Sequence, residues 1–141
     1  MMKTILRGLV ATLIGFFVAF VLIVGVEVFG NVVHPLPSDF GGTMEEMCRH
    51  VERFPSWVLA VVVPMWAVAA LVSTWFARRI GNIYSAGIVG LLLLSALVFN
   101  LSKLPYPSWF KVANLLAIPA AIATGSRFAQ PRKAGGPGEV S

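Results

Sequence analysis

The sequence predicts an all-α protein: a four-transmembrane-helix antiparallel bundle with a short amphipathic helix on its outer face. Three observations carry this reading. The chain is 57% hydrophobic and only 12% charged, with a mean hydropathy of +0.83, whereas soluble domains carry about 25% charged residues. Its apolar residues fall into four long runs separated by polar stretches. Its Lys and Arg gather at the ends of those runs instead of forming a stripe. With 141 residues the chain has the length of one domain, and this much apolar surface needs lipid as its solvent.

The first span is expected over residues 5–29, around the unbroken apolar stretch 8–26. A signal peptide's apolar region takes about 7–15 residues and a bilayer core about 20, so this stretch reads as a retained span. No A-x-A-like cleavage site follows it. Three more spans are expected over 56–77, 83–101 and 108–129. The second ends at Arg78-Arg79 and the third before Ser102-Lys103. The fourth holds the shortest uncharged stretch, 112–126, and reaches full length if Lys111 and Arg127 snorkel to opposite surfaces. Only helices and closed barrels satisfy the backbone in lipid, and runs this long and continuously apolar are helices.

Between the first two spans lies the one sizeable polar block, the outer loop 30–55. Within it, Thr43-Met44-Glu45-Glu46 has the S/T-x-x-E form of a capping box. Met44, Met47, Cys48, Val51 and Phe54 then recur on one helical face, while Glu45 with Arg49 and Glu46 with His50 form i,i+4 pairs on the other. An amphipathic helix over 44–53 is expected, lying on the membrane or across the outer end of the bundle. Pro55 opens the second span, where a missing N–H costs little. The loop's Pro35-Leu36-Pro37-Ser38-Asp39-Phe40 is echoed by Pro105-Tyr106-Pro107-Ser108-Trp109-Phe110. Both read as extended turns on one side of the membrane, each delivering the chain into a returning helix. The tail 131–141 combines Pro, Gly and charge without apolar periodicity and is expected to be a disordered cytoplasmic end.

Four spans put both termini on one side with the second-to-third connection. That side holds Lys3, Arg7, Arg78, Arg79, Arg127, Arg132 and Lys133; the other holds Arg49, Arg53, Lys103 and Lys111, offset by four acids. The positive-inside rule makes the first side cytoplasmic. The lipid bilayer is thus the first expected partner, and nucleic acid is not one, because the basic residues are anchors and form no phosphate-binding stripe.

Glu27 is the acid inside an apolar run, and such a residue is a functional candidate by default. It is expected near the outer headgroups, either solvated there or paired with Lys103, Lys111 or His34, a structural salt-bridge or interface role. His34, Glu46 and His50 give the outer loop metal-capable side chains, yet no HExxH or CxxC pattern organises them, and no metal is expected. Arg49 and Arg53 are candidate docking charges on the loop helix. Ala113, Ala117, Ala121 and Gly125 form a small-residue stripe that lets backbones approach closely, within the bundle or against another protein. Asn100 and Asn114, with Ser95, are expected to hydrogen-bond between spans. Cys48, the lone cysteine, excludes an internal disulfide. Neither histidine lies in a span to hold haem, so no cofactor is expected. Without a Walker loop or GxSxG motif, no enzymatic role is expected either.

His34-Pro35-Leu36-Pro37 after the first span, Trp66-Ala67 within the second, and Leu104-Pro105-Tyr106-Pro107-Ser108-Trp109-Phe110 before the fourth carry a resemblance. The chain resembles small uncharacterised four-span bacterial integral membrane proteins over most of its length. The resemblance implies a bacterial inner membrane and brings no activity. Small multidrug-resistance transporters also have four helices and a glutamate in the first, but Glu27 lies too near the outer end to match their mid-membrane acid. The expected function is therefore a non-enzymatic accessory or scaffold subunit of a membrane assembly. The alternative is a small homo-oligomeric transporter or channel using Glu27.

Overall fold

A computed structural model describes residues 1–129, all-helical with no strand among the described residues. Its five helices are α1 (Met2–Val33), α2 (Met44–Glu52), α3 (Ser56–Ile80), α4 (Ile83–Lys103) and α5 (Ser108–Phe128). Three of them, α1, α3 and α4, are long and apolar enough to cross a membrane. This differs from the four spans expected. The helix α5 has 21 residues, but Lys111, Asn114, Ser126 and Arg127 break its apolar run. The tail expected to be disordered, 131–141, lies outside the described residues.

Local chemistry sets the helix ends. The helix α1 stops at His34, just before Pro35, because a residue preceding proline is pushed out of the helical region. Between α3 and α4, Asn82 caps α4, its Oδ1 accepting from the Tyr84 and Ser85 amides at 2.9 and 3.0 Å. The helix α4 ends at Leu104 before Pro105, and Pro107 leads into α5. The internal prolines, Pro64 and Pro119, sit within continuous α3 and α5.

Small residues hold the bundle together. The helix α3 is its centre, packed against α1, α4 and α5, and α4 also packs against α1 and α5. On the α1–α3 seam, Ala11, Gly15 and Ala19 are buried together with Ala69, Ser73 and Ala77. A Cβ on Gly15 would stand 2.8 Å from the Ala77 Cβ and 3.1 Å from the Ser73 carbonyl. At the end where α1 begins and α3 finishes, Arg7 Nε donates to the Ile80 carbonyl at 2.5 Å, and Ser85 Oγ donates to that of Gly8 at 3.1 Å. The polar glue expected between spans turns back on its own helices instead. Asn114 Nδ2 donates to the Phe110 carbonyl at 2.9 Å and Ser95 Oγ to that of Leu91 at 2.8 Å. Shape and dispersion, with few hydrogen bonds, therefore join the helices.

Candidate functional site

The features that could bind something collect at one end of the bundle, expected to be the outer one, where α1 and α4 finish and α3 and α5 begin. The helix α2 forms its roof. Thr43 Oγ1 accepts from the Glu46 amide at 3.2 Å, and Glu46 Oε2 accepts in return from the Thr43 amide at 3.2 Å and the Gly41 amide at 2.8 Å. Gly42, with φ of +85°, makes the turn that brings these donors round. The backbone N–H groups of Thr43 and Gly41 hold the Glu46 carboxyl below its usual pKa. Thr43→Ala removes one arm of this reciprocal cap and is expected to cost α2 about 1 kcal/mol. Faster hydrogen exchange confined to the α2 amides would show it; unchanged exchange would mean the cap does not hold α2.

Because Glu46 is committed to the cap, it does not pair with His50. Glu45 and Arg49 do pair, at 3.7 Å on the exposed face. His50 turns inward and is 9% exposed. Its ring stacks on His34 with centroids 4.5 Å apart and planes 25° apart, and Phe54 packs against both at 4.7 and 5.2 Å. Burial first, then the charge of His34, pushes the His50 imidazole below its usual pKa. His34 Nε2 is buried without a hydrogen-bond partner. A cleft of 420 Å³ beside this stack is bordered by Asp39, Glu46, Arg49 and Arg53. No three His, Cys, Asp or Glu side chains among the described residues converge as a metal site.

The inner side of α2 presents Met47, His50 and Val51 to a chamber of 620 Å³, walled by Glu27, Leu59, Trp66, Asn100 and Tyr106, among others. A crevice of 140 Å³ shares Glu27, Trp66 and Asn100 with it and continues to Ile23, Leu93 and Ile118. Glu27 lies six residues before the end of α1, about 9 Å along the helix. Its side chain is exposed and makes none of the pairs that were one of its expected roles. Among the described residues the one ion pair is Glu45–Arg49, and Lys103 instead sets its Nζ over the Phe99 ring at 5.8 Å. Burial, and then the negative charge of Glu27, raise the Tyr106 hydroxyl to a pKa of about 12. Asn100 Oδ1 is buried and has no partner.

The candidate residues thus divide. Glu27 lines the chamber, His50 lies between chamber and cleft, and His34 and Glu46 border the cleft. Arg49 and Arg53 remain exposed on the roof. In the α5 stripe, Ala113 and Ala117 are half-buried and Ala121 and Gly125 buried, Gly125 directly against Leu71 and Thr74 of α3. Trp66, Asn100 and Tyr106 were not legible as chamber residues, although counting back from the outer helix ends places Asn100 near the level of Glu27. No known protein family, curated protein or solved structure matches this chain.

Proposed function

We propose that this is a non-enzymatic four-span integral membrane protein, an accessory or interaction module that works by holding a guest in its outer-end chamber. The observation that carries the reading is the 620 Å³ chamber under α2, joined to the crevice through Glu27, Trp66 and Asn100. Ligand sites are concavities of about 300–1,000 Å³, mostly apolar with a few placed polar groups. The packing and length of α5 support the four-span part. It buries Phe110, Asn114, Ile118, Ala121 and Gly125 and packs more extensively on α3 than any other helix does. Its 21 residues reach about 31 Å, and Lys111 and Arg127 snorkel to the two surfaces.

Native mass spectrometry after gentle extraction tests the binding role. A guest, small molecule or protein, retained in stoichiometric amount by the wild type and lost on filling the chamber with Val62→Trp supports it. An empty chain whose stability and assembly ignore Val62→Trp overturns it. Topology is tested separately with Cys48, the natural thiol. Cys48 is expected to react with an impermeant maleimide from outside the cell, and Ser141→Cys on a Cys48→Ser background only after permeabilisation. Labelling of both from outside would mean that α5 does not cross. The transporter alternative is favoured by Glu27 lining both cavities; ion or proton flux lost in Glu27→Gln, with the guest retained, would put it first.

A further inference from the structure

The crevice specifies the chemistry of its guest. At the inner end α1 and α4 are in contact, through the Ser85–Gly8 hydrogen bond of 3.1 Å. Farther along, a Cβ on Gly15 would stand 3.0 Å from Val89 Cγ2. Towards the outer end Glu27 of α1 and Ala96 of α4 line the same crevice, yet both are exposed. The seam between the two helices therefore opens sideways into the outer half of the bilayer. A carboxylate there is costly unless it meets a cation, and among the described residues none forms an ion pair with Glu27. Asn100 Oδ1, buried without a donor, belongs to the same lining. Trp66 adds an aromatic surface of the kind that attracts cations. Deeper in, Ile23, Leu93, Leu97 and Ile118 make the walls hydrocarbon.

Two acceptors, an indole and an apolar slot open to lipid together match one class of molecule. We infer that the crevice binds an alkylammonium amphiphile from the outer leaflet, its ammonium donating to Glu27 and Asn100 and its chain lying along Ile23, Leu93 and Leu97. This rests on the binding role proposed above and names the guest. A primary ammonium has the donors both acceptors need; an alcohol lacks the charge, and a sulfate has the wrong one. A membrane aminolipid and a free long-chain amine share this chemistry.

The test uses the full chain in nanodiscs of phosphatidylcholine, a lipid without a primary amine, and follows thermal unfolding while dodecylammonium, dodecanol or dodecyl sulfate is added. Dodecylammonium is expected to raise the unfolding temperature of the wild type by several degrees and the other two to leave it unchanged. Glu27→Gln is expected to weaken that response by about tenfold in concentration, the loss of one charge-assisted contact. Ala96→Phe, which fills the crevice without altering charge, is expected to do the same and decides the matter if Glu27→Gln does not fold. Equal stabilisation by dodecanol and dodecylammonium in wild type and Glu27→Gln overturns the ammonium site and leaves the chamber a chain-binding one. No response to any amphiphile, with no guest retained from the native membrane, overturns both. Native mass spectrometry separates the sources. An aminolipid retained by the wild type and lost in Glu27→Gln identifies the membrane's own lipid, and an adduct only with added dodecylammonium identifies a free amine.

Discussion

Gly125→Ala is expected to loosen α5 from α3, although it adds a single methyl group to a helix. The methyl would run into the Leu71 carbonyl and stand 2.5 Å from Thr74 Oγ1. Neither obstacle is the free end of a flexible chain. Leu71 offers backbone, and Thr74 is fully buried with its hydroxyl donating to the Ala70 carbonyl at 2.7 Å. The helices must therefore separate, and overpacking of this kind costs about 1–3 kcal/mol, with the upper end expected here. Gly87 supplies the contrast, because its Cβ would meet nothing within 4 Å. Gly87→Ala is expected to stabilise the protein by about 0.5–1 kcal/mol through helix propensity alone. Unfolding of both variants in micelles by a denaturing detergent reads the difference. If the two variants behave alike, α5 is not packed on α3 as described.

That contrast marks what the sequence reveals and where it stops. The small-residue spacing in α5 is visible, but whether the stripe meets α3 or another protein depends on the rotation of an apolar helix about its axis. Nothing local fixes that rotation when the side chains are apolar all round, as in α1. Glu27 is the sharper case. Its depth follows from counting residues, since each adds about 1.5 Å, but the direction of its side chain follows from how α1 and α4 diverge, which is a tertiary property. Of the two roles expected for it, the pair with Lys103, Lys111 or His34 is not formed, and the side chain is exposed.

The outer loop is more legible because it is amphipathic. The Thr43–Glu46 cap specifies a helix, and Met47 and Val51 lie on its inner side as expected, but Met44 of the expected apolar face is exposed and His50, expected on the polar face, is buried. The sequence misleads at Glu46 and His50, where the i,i+4 spacing permits a pair that the cap forbids. Asn114 is misread similarly: an amide inside an apolar helix can satisfy its donor on the preceding turn of its own helix and need not cross to a neighbour. The helix α5 is not among the helices apolar enough to cross by composition alone, since Lys111 and Asn114 shorten the apolar run of a 21-residue helix.

Acidification is expected to release α2 from the end of the bundle before the bundle responds. His50 is the group concerned: stacked on His34, packed against Phe54 and pushed below its usual pKa by burial and by His34. The cleft beside it holds Asp39, Glu46, Arg49 and Arg53, and the chamber holds Glu27. Glu46 is occupied by the Thr43 and Gly41 amides, Arg49 is paired with Glu45, and the remaining Arg53 opposes a second positive charge. A docked His50 thus binds protons less readily than an undocked one, whose pKa is about 6.5. The undocked state takes up more protons as pH falls, so docking is fully stable above about pH 6.5 and is weakened progressively below it. Amides of Met47–Arg53, corrected for intrinsic exchange, are expected to exchange faster at pH 5 than at pH 7.5, with α3 and α4 unchanged. His50→Phe keeps the aromatic contact with Phe54 and removes the proton site, and should flatten the response. An equally steep response in His50→Phe would assign the switch to another group and leave the stacked histidines as packing.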